Sequence, residues 1–113
     1  MLLWIAAKAG HTAEVTTLIE AHADVNIAAT DDGSTALYAA AQNGHTAVVA
    51  ALIKANADIN IARTDDGATP LYVAACEGHT AVVAALIEAH ADVNIVMNSG
   101  YTPLCDGGLL WPS

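Results

Sequence analysis

Basic side chains are scarce in this sequence. Lys8, Lys54 and Arg63 are the only lysine and arginine residues, against twelve aspartate and glutamate residues, and the formal net charge at pH 7 is −9. Because such a chain repels the phosphate backbones of DNA and RNA, nucleic-acid binding is not expected. A basic or mainly apolar partner is therefore more compatible with the sequence than an acidic one.

Long hydrophobic runs are also missing, although 55% of the residues are apolar. Gly, His or Asp residues interrupt the longest apolar runs well short of the roughly 20 residues that a membrane-spanning helix requires. The apolar opening, Met1–Lys8, has no basic region before it and so does not have the pattern of a signal peptide. The sequence therefore predicts a domain that does not enter a membrane.

Cysteine is limited to Cys76 and Cys105. Two such residues form no disulfide framework, and this usage suggests a reducing compartment such as the cytoplasm. Cys76 stands close to His79, but nucleophilic catalysis would also need an oriented third group and an oxyanion hole. Since no glycine-rich phosphate loop or nucleophile elbow appears either, we expect neither an enzyme nor a bound cofactor.

The sequence repeats itself. Residues 65–98 read DDGATPLYVAACEGHTAVVAALIEAHADVNIVMN and closely match residues 31–64, DDGSTALYAAAQNGHTAVVAALIKANADINIART. Residues 2–30 form a copy that lacks the opening turn, and a further copy begins at Ser99 and breaks off. Each unit alone is too small to bury its apolar face, so the units are expected to stack on one another.

The first part of each unit is predicted to be a turn followed by a short helix, here named the inner helix. Asp65-Asp66-Gly67 has the composition of a turn. Thr69 followed by Pro70 is typical of a helix start, with Thr69 as the N-cap and Pro70 at the first helical position. The apolar run that follows reaches Gly78, the residue type expected just after a helix end.

The second part of each unit is predicted to be a longer helix, here named the outer helix, and an extended arm. Thr80 is expected to cap the outer helix, along which apolar side chains recur at helical spacing. His90 is expected to end it, as Asn56 does in the preceding copy, because both residue types tolerate left-handed backbone. The β-branched segment Asp92–Ile95 is too short for more helix and is predicted to be extended.

These residues resemble the ankyrin repeat, whose motif runs here from Asp66 through Thr69-Pro70-Leu71 and Gly78-His79 to Ala91-Asp92-Val93-Asn94. The resemblance covers nearly the whole chain. It implies an all-α repeat solenoid of ankyrin-type helix-turn-helix-hairpin units. It also implies that the aspartates of the arms, Asp24, Asp58 and Asp92, accept hydrogen bonds from the backbone of the next arm.

The resemblance implies a single ankyrin-repeat domain over residues 1–113, with repeats at 1–30, 31–64 and 65–98 and a truncated fourth repeat at 99–113. Repeat one carries Glu14, Thr16 and Thr17 on its outer helix, where the next two repeats have valine or alanine. A terminal repeat faces water on one side, so these polar replacements are expected to make repeat one the N-terminal cap.

The C-terminal residues do not complete a repeat that would cover repeat three. Thr102-Pro103-Leu104 opens another inner helix, but Asp106-Gly107-Gly108 is expected to stop it after about one turn. An apolar tail with Leu109, Leu110 and Trp111 follows. This tail either folds back as a lid over repeat three or joins another molecule. A third interpretation is that the chain is a piece of a longer array.

One histidine recurs in each repeat, at positions 11, 45 and 79. Stacked helices lie about 10 Å apart, whereas zinc ligands lie within roughly 2 Å of the ion, so the three rings are not expected to share a metal. The resemblance instead implies that each ring bonds backbone at the junction of its two helices. Asp31, Asp32, Asp65 and Asp66 do not form a calcium loop either, because alternating ligands and a closing glutamate are missing.

The resemblance implies that a protein partner binds the concave face, which the loop tips and the exposed face of the inner helices form together. Differences between nearly identical repeats indicate binding positions, because each copy has the same packing demands. Free drift of surface positions is the alternative explanation. The predicted contact residues are Lys8, Asp31, Asp32, Ser34, Gln42, Asn43, Arg63, Asp65, Asp66, Ala68, Cys76, Glu77, Met97 and Tyr101.

The predicted function is a non-catalytic protein–protein interaction module with a protein partner on its concave face. The alternative is a self-assembling structural unit that associates through its incompletely capped ends, as a homo-oligomer. Leu109, Leu110 and Trp111 are the candidate residues for that self-association. The fold alone does not choose between the two functions.

Overall fold

Six α-helices form the described part of the chain, which comprises residues 2–26, 28, 33–61 and 69–89 of the computed structural model. They are α1 (Leu2–Ala9), α2 (Thr12–Glu20), α3 (Ala36–Gln42), α4 (Thr46–Lys54), α5 (Pro70–Cys76) and α6 (Thr80–Glu88). The odd-numbered helices are the inner helices, and the even-numbered ones are the outer helices. None of these six helices is long and apolar enough to cross a membrane.

The helices stack in two layers. In the inner layer α1 contacts α3 and α3 contacts α5, and in the outer layer α2 contacts α4 and α4 contacts α6. Each inner helix also contacts the outer helix of its own repeat. Contacts therefore run from each helix pair to the next, and the predicted all-α repeat solenoid is confirmed.

Leucines at equivalent positions of successive repeats build the core. Leu37 and Leu71 are buried on the inner helices, and Leu52 and Leu86 are buried on the outer helices. Burying one such side chain stabilises the fold by about 1.5–3 kcal/mol relative to leaving it exposed. Because repeats two and three use the same residues at these positions, their core demands are the same.

Threonine side chains cap two inner helices. Thr35 and Thr69 have extended backbone, and their hydroxyl oxygens accept hydrogen bonds from the backbone N–H groups of Tyr38 and Tyr72, at 3.2 Å in both cases. Pro70 occupies the first helical position, where its missing N–H costs no hydrogen bond. The predicted helix start at Thr69 and Pro70 is therefore confirmed.

The outer helices begin differently from the prediction. Thr80, predicted as the cap, is the first helical residue of α6, and His79 holds the N-cap position without a side-chain cap bond. The cause is the tight turn at Gly78, whose carbonyl accepts a hydrogen bond from the Thr80 N–H at 3.0 Å. This turn brings Thr80 into helical backbone and leaves its hydroxyl one position too late to act as the cap.

Left-handed residues end both kinds of helix. Gly78 follows α5 with φ +76°, as predicted, and Gly10 and Gly44 adopt the same conformation after α1 and α3. Asn56 follows α4 with φ +67°, and His22 follows α2 with φ +66°. The predicted end at Asn56 is thus confirmed, while His90 lies outside the described residues.

The arm that follows each outer helix is a turn where the structure describes it. The Asp24 carboxylate accepts a hydrogen bond from the Asn26 N–H at 2.9 Å, and the Asp58 carboxylate accepts one from the Asn60 N–H at 3.0 Å. An aspartate that bonds backbone two residues ahead bends the chain. The expectation of an extended arm is therefore wrong for the first two copies, and Asp92–Ile95 lies outside the described residues.

Repeat one presents a mixed surface. Glu14, Thr16 and Thr17 on α2 are exposed, and the two threonine hydroxyls bond backbone carbonyls of their own helix. On α1, however, Leu2 is 71% exposed and Ile5 is 56% exposed. The polar surface expected of a terminal cap is thus confined to the outer helix.

Candidate functional site

The C-terminal ends of the inner helices form a row of polar side chains across the stack. Lys8, Gln42 and Cys76 occupy equivalent positions in the three repeats, and Asn43 and Glu77 stand beside the last two. We name these five residues the inner-helix surface. Four of them are exposed, and Cys76 is half-buried. This surface combines ammonium, amide and carboxylate groups, which suit contact with another protein.

Charge changes sign along the inner-helix surface. Repeat one contributes the basic Lys8, repeat two contributes the neutral Gln42 and Asn43, and repeat three contributes the acidic Glu77, which stands beside Cys76. The Lys8 ammonium lies 5.1 Å from the centroid of the Trp4 ring, within the range of a cation–π interaction. The aromatic ring therefore helps to hold the cation at one end of the surface.

The backbone beneath this surface is held by the following repeat. His45 Nε2 lies 3.0 Å from the Lys8 carbonyl oxygen, and His79 Nε2 lies 3.0 Å from the Gln42 carbonyl oxygen. Both rings therefore bond backbone, as the resemblance implied, and the acceptor belongs to the preceding repeat. The Asn43 side chain also donates to the Lys8 carbonyl at 3.0 Å, so this predicted contact residue has a structural bond as well.

Glycine makes room for each of these rings. A Cβ atom at Gly10 would lie 2.6 Å from His45 Nδ1, and one at Gly44 would lie 2.7 Å from His79 Nδ1. Both glycines also have positive φ. Glycine is therefore needed at these positions for two reasons. It ends the inner helix with positive φ, and it leaves space for the histidine ring of the next repeat.

A second link joins the arms of repeats one and two. The Asp58 N–H donates a 2.7 Å hydrogen bond to the side-chain oxygen of Asn26. The resemblance assigned the acceptor role between arms to Asp24 and Asp58, but these aspartates bond backbone in their own turns. Sequence reasoning missed Asn26, although asparagine recurs at the same place in each repeat, including Asn60.

Ser34 was predicted as a contact residue but belongs to the interior. It is 3% exposed, and its hydroxyl accepts a 3.2 Å hydrogen bond from the indole N–H of Trp4. Thr35, the residue after Ser34, forms an isolated antiparallel bridge with Ala28. Burial by this neighbouring structure leaves almost no Ser34 surface for a partner.

Most predicted contact residues of the loop tips lie outside the described residues. They are Asp31, Asp32, Arg63, Asp65, Asp66, Ala68, Met97 and Tyr101. The same holds for the predicted truncated fourth repeat and for Leu109, Leu110 and Trp111 of the apolar tail. The structure therefore brings together the inner-helix part of the predicted contact surface.

Cys76 is disulfide-bonded. Cys105, the only other cysteine of the chain, lies outside the described residues. The cytoplasmic location inferred from cysteine usage stays a prediction. The disulfide leaves Cys76 without the thiol that a nucleophile beside His79 would need.

The part of the chain that the structure describes contains no candidate metal site. No group of three or more His, Cys, Asp or Glu side chains in that part is placed to hold a metal ion. His11 and Glu14 approach each other at 3.8 Å, and both are exposed. His45 and His79 are instead each bonded to the backbone of the preceding repeat.

Sequence models of one protein family match most of the chain. The model described as ankyrin repeats (3 copies) matches residues 1–63, and the model described as ankyrin repeat matches residues 66–98. No curated protein sequence matches the chain. The two matched segments together contain all six described helices.

Proposed function

The chain belongs to the ankyrin-repeat family, and we propose that it holds a protein partner on its concave face, at the loop tips and the inner-helix surface. Ankyrin repeats are generally protein–protein interaction modules. The observation that carries the proposal is the inner-helix surface itself: side chains change from repeat to repeat at the equivalent positions Lys8, Gln42 and Cys76, and at the neighbouring pair Asn43 and Glu77, while the leucines beneath stay the same.

Rigid backbone beneath the inner-helix surface supports this proposal. The carbonyls of Lys8 and Gln42 are each held by a histidine of the following repeat. A surface that is already ordered loses less conformational entropy when a partner binds, so more of the contact energy appears as affinity. The side chains of this surface thus project from fixed positions.

Charge order gives the proposed partner a chemical character. Lys8 favours an acidic group of the partner at repeat one, and Glu77 favours a basic group at repeat three. The large negative charge of the whole chain favours a basic or mainly apolar partner surface elsewhere. The partner is therefore expected to be a protein with an acidic group that faces Lys8, a basic group that faces Glu77 and a basic or mainly apolar surface elsewhere.

The test is site-specific photo-crosslinking in the host's protein extract. A photoreactive residue is placed at Gln42 on the inner-helix surface and, in a matched control, at Ala50, an exposed position of the outer helix α4. One protein captured from Gln42 and not from Ala50 supports the proposal. Equal capture from both positions, or capture from Ala50 alone, would contradict it.

The affinity of the captured protein is then measured for variants of the inner-helix surface and of the outer helices. Truncation of Gln42 and Glu77 to alanine together is expected to weaken binding by about tenfold or more, as for residues inside an interface. Truncation of Glu20 and Glu88, which are exposed on outer helices, serves as the control and is expected to leave the affinity unchanged. Asn43 is left intact because its side chain also bonds repeat one.

Association of several copies through the ends is the second candidate function. The exposed apolar side chains of Leu2 and Ile5 favour it, because both lie on the inner helix of the first repeat, where the stack ends in the described structure. Large exposed apolar side chains grouped on one face are a common mark of an interaction site. This candidate does not depend on the inner-helix surface.

A further inference from the structure

A groove runs between the outer helices of repeats two and three, α4 and α6. It has a volume of about 290 Å³ and is lined by Ala50, Ile53, Lys54, Ala85, Glu88 and Ala89. Both helices are described over their whole length, and Cys76 belongs to α5 in the other layer. The groove is therefore a feature of two neighbouring repeats and not of a chain end.

Two opposite charges stand at the same height on the two sides of this groove. Lys54 is the last residue of α4, and Glu88 is the last residue of α6. Both side chains are exposed. Among the described residues, neither one forms an ion pair. The ammonium group and the carboxylate are therefore both free to meet charges of a second molecule.

The rest of this face is apolar. Between the threonine that begins each helix and the charge that ends it, the exposed side chains are Ala47, Ala50, Ala81, Ala84 and Ile87. The corresponding stretch of α2 exposes Glu14, Thr16 and Thr17 instead. Because removing polar and charged groups from water costs free energy, α4 and α6 offer the outer surface that is easier to bury.

Charge balance also distinguishes this face. The net charge of −9 makes copies of the chain repel one another. Lys54 is the only basic residue of the outer helices α2, α4 and α6, and it balances Glu88 across the groove. A second copy therefore meets less repulsion here than at the acidic α2.

We propose that two copies associate through the outer-helix face, which comprises the groove and the exposed side chains of α4 and α6. A two-fold axis parallel to the helices sets α4 of each copy opposite α6 of the other. Lys54 of each copy then faces Glu88 of the other, so that one contact contains two opposite-charge pairs. Because both copies use the same face, the contact closes on itself and the assembly stops at a dimer.

This dimer differs from both functions proposed above. The inner-helix surface belongs to the other layer of helices, so each copy in the dimer can still hold a partner. Association through the ends uses Leu2 and Ile5, which lie outside the outer-helix face. The three proposals are therefore tested by different substitutions.

Charge reversal tests the pairing on the full 113-residue chain. Light scattering over a concentration series is expected to show a monomer–dimer equilibrium for the unmodified chain. Lys54→Glu sets two glutamates against each other in each pair, and Glu88→Lys sets two lysines against each other. Each variant alone is expected to raise the dimer dissociation constant about tenfold or more.

A mixture of the two variants provides the sharpest result. In a dimer with one copy of each, the introduced glutamate faces the introduced lysine, and the unaltered Glu88 faces the unaltered Lys54. An equimolar mixture is therefore expected to recover the dimer that each variant loses alone. Loss of folding cannot produce this recovery, and circular dichroism of each variant is expected to show unchanged helix content.

Two matched variants are expected to leave the dimer intact. Glu20→Lys makes the same change in net charge as Glu88→Lys, at the equivalent position of α2. Ile5→Glu places a charge at the end of the stack. A photoreactive residue at Ala50 is expected to crosslink two copies of the chain, a product that its mass distinguishes from a captured partner.

Four outcomes would overturn the proposal. The first is a monomer at every concentration of the unmodified chain, and the second is a dimer that both charge reversals retain. The third is a mixture of the two variants that forms no dimer. The fourth is an equal loss in Glu20→Lys, which would show an effect of net charge or of a contact through α2. None of these outcomes affects the proposal for the inner-helix surface.

Discussion

The backbone N–H of Asp58 donates a 2.7 Å hydrogen bond to the side-chain oxygen of Asn26, 32 residues earlier in the chain. The bond joins two turns that are each closed by their own aspartate, Asp24 and Asp58. The repeat thus separates two roles: aspartate shapes the turn, and asparagine links it to the next turn.

Asn26→Ala is expected to destabilise the fold by about 0.5–1.5 kcal/mol, because the Asp58 N–H loses its protein acceptor. Asn26→Asp keeps an acceptor oxygen at the same distance along the side chain and is expected to cost less. Urea unfolding of the two variants measures the difference. Equal destabilisation by both substitutions would show that the bond to Asp58 contributes little.

Gly44→Ala is expected to destabilise the fold more than Gly78→Ala does. Both substitutions place a Cβ on a residue with positive φ, which costs about 1–2 kcal/mol. At Gly44 the added Cβ would also clash with the His79 ring. Overpacking of this kind costs a further 1–3 kcal/mol, on the order of magnitude seen in protein cores. Thermal unfolding of the pair checks the order, and equal values would contradict the role given to the ring.

His45→Ala is expected to lower the free energy of unfolding by about 1 kcal/mol, because it removes the hydrogen bond to the Lys8 carbonyl between repeats one and two. His11→Ala is the matched control, since that ring bonds no preceding repeat in the described structure. Urea unfolding is best measured at low protein concentration, where copies do not associate. A larger effect at His11 than at His45 would refute the assignment.

Thr69→Ala is expected to cost about 1 kcal/mol, because the hydroxyl caps α5 through the Tyr72 N–H. Thr80→Ala is expected to be neutral or slightly stabilising, because Thr80 lies within α6 and alanine has the higher helix propensity. The two denaturation midpoints provide the measurement. A cost at Thr80 equal to that at Thr69 would restore Thr80 as the cap of the outer helix.

Local signals predicted the helices well where a few neighbouring residues determine the backbone. Thr69, Pro70, Gly78 and Asn56 were assigned from their intrinsic conformational preferences, and the structure confirms each one. The outer-helix start was harder, because the turn at Gly78 shifts the first helical residue by one position relative to the threonine. Residue type alone does not show whether His79 or Thr80 holds the N-cap position of α6.

The contacts between repeats could not be predicted from the sequence. Ser34 looks like a variable loop residue, and only the position of the Trp4 indole explains its burial. The acceptor of the His45 ring and the role of Asn26 likewise depend on how one repeat lies against the next. The differences between repeats located exposed positions such as Gln42, which lie where a partner could reach them.

The most direct test of partner binding reverses the charge order of the inner-helix surface. Lys8→Glu combined with Glu77→Lys exchanges the two charges and keeps the net charge at −9. Glu20→Lys combined with Lys54→Glu makes the same exchange on the exposed outer helices and is the control. Titration calorimetry with the captured partner is expected to show binding weakened about tenfold or more by the first pair and unchanged by the second. Unchanged affinity for the first pair, or equal loss for both, would contradict the proposed binding surface.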